Sequence, residues 1–328
     1  DDAEALGTQK QQGHDLSPEA LALLDMAGGN PFFVDQLVRL EQEGGLPGRL
    51  KRRIELLDAR LDRLPIHLRQ LLQRLAVHGG RVPIDRLTAA FEYSLEELDA
   101  QVVALEDMGL VDTSTGWVSP SHALVEDAVL AGMPAEIRRE AHERYLAGIA
   151  QITPQSIGEA IRHALGTDDD QYAADLLEVG ASVAWSGLDA DRAVQWLQLA
   201  LQKSRLLWGR GDLGMEAHTR ITVELGRRLA EVLRQRGDTS TSEAVLREVQ
   251  SFVSLEQPSL AAAIAMDQSR HVLTKGNIAT AEEQLEQALR LSMQDEEATW
   301  LHCELIYRLG EIASRRGQYD RALSLFSE

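Results

Sequence analysis

Cysteine occurs once in the 328 residues, at Cys303, which excludes an internal disulfide and any metal site built from clustered cysteines. Aromatic residues are scarce at 5 %, and with them goes a composition that favours sheets. No apolar run approaches the roughly 20 residues that a membrane-crossing helix needs. Positive charge is in short supply: 33 Lys and Arg against 52 Asp and Glu leave a net charge of −19 and a pI near 4.9. So acidic a chain lacks an electrostatic grip on nucleic acid or on an anionic membrane. The opening Asp1-Asp2-Ala3-Glu4-Ala5 matches neither a signal peptide nor a transit peptide, and a soluble, cytoplasmic protein is expected. The first residue is not Met, and Ala322-Leu323-Ser324-Leu325-Phe326 runs on without a capping Gly or Pro. Both ends therefore read as cut from a longer chain.

What the chain has is helix. Hydrophobic residues reach 44 %, and Leu, Ala, Glu, Arg and Gln dominate. Ser17-Pro18-Glu19 opens a helix, with Ser17 as N-cap and Pro18 at the first position, and Gly28-Gly29 ends it. Asn30-Pro31 starts another, and a third over 49–63 sets Leu50, Ile54, Leu57 and Leu61 on one stripe. Helices over 66–77, 83–91 and 94–108 precede a stretch from Gly109 to Val118 in which two short β-prone pieces flank a turn. Three helices and a hairpin outline a winged helix. A further helix is predicted over 135–150.

Beyond about residue 156 helices alternate with short Gly-containing turns, the first at Trp185-Ser186-Gly187. Gly237, Gly276 and Gly317 recur at 39 and 41 residues, a period that denotes stacked helical hairpins. In the last unit Gly310 and Ala322 are small and twelve apart, which lets two helices approach closely, and Phe326 fills the groove beside them. Gly276, Ala281, Leu285 and Ala288 repeat part of this pattern, as do Ala193, Leu197 and Ala200. The units resemble tetratricopeptide repeats, with spacings longer than that family's usual period of about 34 residues and with Ser242 where a small Ala is expected. The expected fold is all-α apart from one small β-hairpin. It comprises a helical lid over 1–64, a winged helix over 65–133 and a tetratricopeptide-like α-solenoid over 134–328.

A second resemblance spans about 17–145. Ala27-Gly28-Gly29-Asn30-Pro31-Phe32-Phe33 is similar to the Gly-x-Pro element in the helical lid of signal-transduction ATPases with numerous domains, the STAND class. Leu57-Asp58-Ala59-Arg60-Leu61-Asp62-Arg63-Leu64-Pro65, Leu75-Ala76-Val77, Ser121-His122-Ala123-Leu124-Val125 and Arg138-Arg139-Glu140-Ala141-His142 continue it in the order lid, winged helix, repeats. The resemblance implies the sensor and regulatory half of a bacterial switch whose effector is a transcription-factor domain, a kinase or a cyclase. It implies two nucleotide contacts, Pro31 against the adenine and His122 donating to the β-phosphate of ADP. Read locally, Asn30-Pro31 is also an ordinary helix start, and His122 a surface helix cap.

The phosphate cradle is missing, since no Gly-x-x-x-x-Gly-Lys-Ser/Thr occurs. This chain is expected to hold no cofactor and to be no enzyme. ATP or ADP with Mg²⁺ would belong to an upstream nucleotide-binding domain of the same parent, which is one expected partner. No catalytic or metal-binding constellation stands out, and no His-Glu-x-x-His occurs. Cys303 reads as a buried small hydrophobe, and Trp185, Trp196, Trp208 and Trp300 as core. Asp168-Asp169-Asp170 reads as a solvated capping loop, and His142 as lying on a solvated face. Helix 94–108 carries five acidic residues and no Lys or Arg, so the winged helix is not expected to bind DNA.

Stacked hairpins turn the first helix of each pair toward a concave side. Arg220, Arg227, Arg270 and Arg308 lie on those helices and are the candidate contacts for a protein or peptide with an acidic or C-terminal carboxylate. The alternative is that they pair with neighbouring Glu and Asp. A stand-alone adaptor that assembles other proteins is the second reading of function.

Overall fold

A computed structural model describes Val34, Arg39 and residues 53–254, 257–295 and 298–327. Pro31 and the first expected lid helix lie outside the described residues. Two compact units result, one running to Ile152 and including Gly166–Asp168, the other made of Thr153–Leu165 and Asp169 onward.

The first unit contains α1 (Arg53–Asp62), α2 (Ile66–His78), β1 (Val82–Pro83), α3 (Ile84–Phe91), α4 (Leu95–Asp107), β2 (Val111–Ser114), β3 (Trp117–Pro120), α5 (Ala123–Ala131) and α6 (Ala135–Ala147). Helix α2 is central because Leu68, Leu71, Leu72 and Leu75 fall on one face and are all buried. They meet α4, α5, α6 and β3. Ser94 opens α4 with a capping box: its hydroxyl accepts the Glu97 N–H, and the Glu97 carboxylate accepts the Ser94 N–H. Val111 and Val118 point inward from the sheet. The expected hairpin has a third strand, since β1 pairs with β3 to give the order β1-β3-β2. Two residues, one a proline, carry no alternating pattern for sequence to reveal. Helices α2, α3 and α4 with this sheet form the winged helix. Helix α6 stops before Gly148 and is fastened to this unit by Tyr145, whose hydroxyl donates to the Arg74 carbonyl at 2.9 Å. The Tyr145 ring meets Phe91 edge-on at 4.9 Å.

The second unit contains α7 (Ile157–Leu165), α8 (Asp170–Ser186), α9 (Ala190–Arg210), α10 (Met215–Arg236), α11 (Thr239–Gln250), α12 (Pro258–Thr274), α13 (Ile278–Ser292), α14 (Thr299–Arg315) and α15 (Tyr319–Ser327). From α8 onward they pair as four hairpins. Each turn holds one left-handed residue: Leu188 (φ 63°), Gly237 (94°), Gly276 (81°) and Gly317 (73°). Sequence pointed to Gly187 for the first turn, but Leu188 takes the conformation, at a cost of roughly 1–2 kcal/mol for a residue with a Cβ. Counted from these residues, the pairs Ala181 and Ala193, Ala230 and Ser242, Ser269 and Ala281, Gly310 and Ala322 are each twelve apart and all buried. Asp189, Asp238 and Asn277 follow their turns as N-caps of α9, α11 and α13. Among the described residues no helix is long and apolar enough to cross a membrane.

Ser242, the departure from Ala, has a use. Its hydroxyl donates to the Ala230 carbonyl at 2.5 Å and lies 2.9 Å from His271 Nε2. His271 therefore carries its proton on Nε2, which leaves Nδ1 buried without a hydrogen bond, 3.9 Å from the Glu243 carboxylate. Burial holds the His271 ring below the usual histidine range despite the pull of Glu243. Burial does the same for His218, which is stacked on Trp208 at 4.8 Å. The unfolded chain takes up these protons below about pH 6.5 whereas the folded chain does not. The stability these rings contribute is thus complete above that pH and is lost as pH falls toward the folded pKa, by at most about 1.4 kcal/mol per pH unit for each. Melting followed by circular dichroism should show a lower Tm near pH 5.5 than near pH 7.5, with a smaller drop in His271→Gln. An unchanged drop in that variant would clear His271 of the effect.

Candidate functional site

Charge repeats along the first helices with the period of the helix face. Arg220, Arg227 and Arg234 are seven apart on α10, as are Glu224 and Glu231, and α14 sets Glu304 and Glu311 beside Arg308 and Arg315 in the same way. Seven residues is nearly two turns, so each series stays on one side of its helix. Helices α10, α12 and α14 lie next to one another, and the stripes meet across them. Between them is an open pocket of about 260 Å³, lined by Glu231, Arg234, Arg270, Arg308, Glu311 and Arg315, with Leu273, Leu285 and Ile312 as its apolar surface.

The stripes form one lattice. Arg227 Nε donates to Asp267 Oδ2 at 2.6 Å, and Arg270 Nη1 donates to Asp267 Oδ1 at 3.2 Å. Arg270 also reaches Glu231 at 3.5 Å and Glu304 at 3.9 Å. Glu231 is held by the fork of Arg234 at 2.7 and 2.9 Å, and Arg308 joins Glu304 at 2.8 Å to Glu311 at 3.0 Å. Burial raises the Asp267 carboxyl above its usual range, with Arg227 and Arg270 opposing. Burial pushes Glu231 the same way, but the hydrogen bonds from Arg234 and Gln235 outweigh it and hold that carboxyl low.

Of the four arginines singled out from sequence, Arg227, Arg270 and Arg308 are thus paired internally, and Arg220 is exposed with no partner among the described residues. Sequence reasoning passed over Arg234 and Arg315, although each lies seven residues beyond a chosen arginine. Arg315 lines the pocket, is exposed and has no partner among the described residues.

The nucleotide-contact candidates fare differently. Pro31 lies outside the described residues. His122 is the N-cap of α5, its Nδ1 accepting the Leu124 N–H at 3.1 Å, which puts the ring proton on Nε2. Four expectations need correction. Cys303 is exposed, because α14 turns it outward with Trp300 and Tyr307. Trp300 and Trp208 are 70 % and 43 % exposed, not core. Asp170 is buried, gripped by Lys203 and by Arg210 at 2.6 Å, while Asp169 is the cap; these cations hold the Asp170 carboxyl below its usual range, Lys203 foremost. His142 is half-buried with Gly166 packed on its ring, where a Cβ would come within 2.2 Å. The five acidic residues of α4 are all exposed. At its C-terminal end Arg39 and Arg60 donate to the carbonyls of Asp107 and Met108 at 2.5 and 2.6 Å.

No family model and no curated protein matches this chain. Among solved structures it is similar to a signal transduction ATPase with numerous domains (STAND) protein with a tetratricopeptide repeat sensor from Pyrococcus horikoshii. The TM-score is 0.45 at 14 % identity, covering 99 % of this chain and 52 % of the other. The chain thus spans about half the length of that protein.

The lattice should be felt in stability. Asp267→Ala leaves Arg227 and Arg270 facing each other half-buried, and removing one member of such a pair costs about 3 kcal/mol. Glu224→Ala, whose carboxylate is half exposed, should cost under about 1 kcal/mol. Urea titrations of both variants test this, and equal losses would deny Asp267 its central place.

Proposed function

We propose that this chain is the sensor and regulatory part of a STAND-type signalling ATPase. The repeat groove takes a protein or peptide, and the lid and winged helix relay its occupancy to a nucleotide held by an upstream domain of the parent. The observation that carries the reading is the pocket between α10, α12 and α14, which sets arginines over an apolar surface in a repeat array. Most of those arginines are positioned by acids of the chain itself, so the charge left for a guest in the pocket is that of Arg315, with Arg308 and Arg270 at the wall, and Arg220, exposed further along α10, extends the positive stripe beyond it. A guest with an aliphatic side chain beside a carboxylate fits this lining.

The His122 tautomer supports the relay. An Nε2–H is the donor that an ADP phosphate requires, and the backbone N–H of Leu124 fixes that tautomer. An exposed α4 with five acidic residues and no cation supports a scaffolding winged helix, not one that reads DNA. ATP or ADP with Mg²⁺ would supply the phosphoryl chemistry on the upstream domain. This chain's part is to hold a donor in place.

Selection from a displayed peptide library with the chain as bait should enrich acidic peptides, and the double variant Arg220→Glu, Arg315→Glu should lose them while keeping its circular dichroism. Both positions are exposed, so the fold does not depend on them. Enrichment that survives in the variant would overturn the groove. In the intact parent, His122→Ala should speed ADP release by roughly ten- to a hundredfold, the worth of one hydrogen bond to a charged group. Unchanged release would leave His122 as a helix cap alone.

A further inference from the structure

We propose that the pocket between α9, α10 and α11 is a second binding site, for a small uncharged molecule with an apolar body and a single hydroxyl or carbonyl oxygen. Its volume is about 260 Å³. Leu201 of α9, Leu229 of α10, Val245 and Val249 of α11 and Phe252 just beyond supply the apolar wall, and Thr222 of α10 is a polar point within it. Thr222 and Leu229 each lie two residues beyond an arginine of the α10 stripe, Arg220 and Arg227, which is about 200° round the helix. The pocket therefore opens away from that stripe. It shares no lining residue with the pocket between α10, α12 and α14, so the two sites stand or fall separately.

The helices around it are already in contact and cannot close the space. At Gly226 an added Cβ would lie 2.2 Å from Val249, so α10 and α11 touch there. Helices α9 and α10 are spaced by Trp208, stacked on the buried His218 ring with centroids 4.8 Å apart. A pocket walled by helices so fixed is preformed, as binding pockets usually are.

Thr222 is the residue that points to a ligand. It is 2 % exposed, and its hydroxyl has one hydrogen-bond neighbour among the described residues, His218 Nδ1 at 3.5 Å. That nitrogen lies nearer the Ser204 hydroxyl, at 3.3 Å. A neutral imidazole offers at Nδ1 either one lone pair or one proton, and Ser204 takes it. The Thr222 hydroxyl is left with its bonding capacity unspent beside an apolar wall, whereas buried hydroxyls are nearly always bonded. An oxygen on a bound molecule completes it.

Size and charge define the guest. An apolar cavity of about 150 Å³ holds a six-carbon ring, so this one holds about ten heavy atoms. At the rim Arg205 and Glu248 are joined at 2.5 Å, which leaves neither charge for the guest. A carboxylate or ammonium placed against the apolar wall would bear a large desolvation cost. An alkyl or aryl alcohol, or a ketone of the same size, fits the lining.

Methyl NMR spectra of the full chain labelled at Leu and Val, titrated with hydrocinnamyl alcohol and with n-octanol, test this. The expected result is saturable shifts with at least one of the two, centred on Leu201, Leu229, Val245 and Val249. Thr222→Val keeps the shape and removes the hydroxyl, and should raise the dissociation constant about three- to tenfold. Val245→Trp, which fills the pocket, should abolish the shifts. Hydrocinnamate, the carboxylate of matching size, should bind the wild-type chain about tenfold or more weakly than the alcohol. Circular dichroism checks that both variants fold, and the wild-type titrations decide without them. Shifts that do not saturate, or that scatter over the chain, overturn the proposal, as does undiminished binding in either folded variant. Hydrocinnamate binding as tightly as the alcohol overturns it equally, because the guest would then be charged.

Discussion

The repeat array depends on one contact per hairpin, the place where its two helices come closest. At Gly310, of the last twelve-apart pair, an added Cβ would lie 2.5 Å from the Phe326 ring, and at Gly226, one turn before Ala230, only 2.2 Å from Val249. Neither helix could keep its position with a larger residue at these points. The small residues twelve apart set that crossing in all four hairpins. Once the crossing is set, the flanking apolar side chains of one hairpin meet the next at the same height. Leu285 and Ala288 of α13 then share a core with Leu301 and Leu305 of α14. Stability in such an array is a sum over neighbouring contacts, so a fault at one crossing is felt in the hairpins on either side.

The charged lattice follows from the same geometry. Helices held side by side bring residues 34 to 40 positions apart in sequence into register, as with Arg316 and Glu282 or Arg227 and Asp267. Asp267 is 10 % exposed, and an isolated carboxylate there would face a large desolvation cost. Two guanidinium groups from different helices supply the compensation. Arg suits the place because its planar fork donates in two directions without losing its charge on burial. Ser242 and His271 do similar work with neutral groups, joining α11 to α12 through a single hydroxyl. Here the exception to the small-apolar rule is itself a bond between hairpins.

Much of this was legible in the sequence, and the failures have physical causes. Helix positions, the winged helix and the twelve-residue spacing can be read because periodicity and caps are local. The first turn was misplaced because its left-handed residue is Leu188 and not a glycine, and a sequence marks such a position only where a glycine fills it. Strand β1 was invisible because two residues have no period. Cys303 and Trp300 were read as core because composition says that such residues pack inside, while the side of α14 they occupy is decided by its neighbours. The pairing of Arg227 with Asp267, and of Arg270 with Glu231 and Glu304, crosses between helices and lies in no window along the chain, whereas Arg308 pairs with Glu304 and Glu311 of its own helix, as the alternative reading from sequence had it. For His122, the sequence offered a cap or a phosphate donor, and the structure shows the cap, made through Nδ1.

The net charge gives the groove its character. A surplus of 19 negative charges sets up a field that repels an acidic guest at long range, yet at physiological ionic strength that field decays within about 8 Å. On the proposed reading, recognition of a carboxylate would be left to contacts at hydrogen-bond distance, where Arg315 has no competing acid among the described residues. The paired arginines beside Arg315 are held by their own acids and so would lose little freedom to a guest. The acids that neutralise the groove thus weaken its pull from a distance while ordering its surface. A groove built this way would select for fit at contact, not for charge at long range.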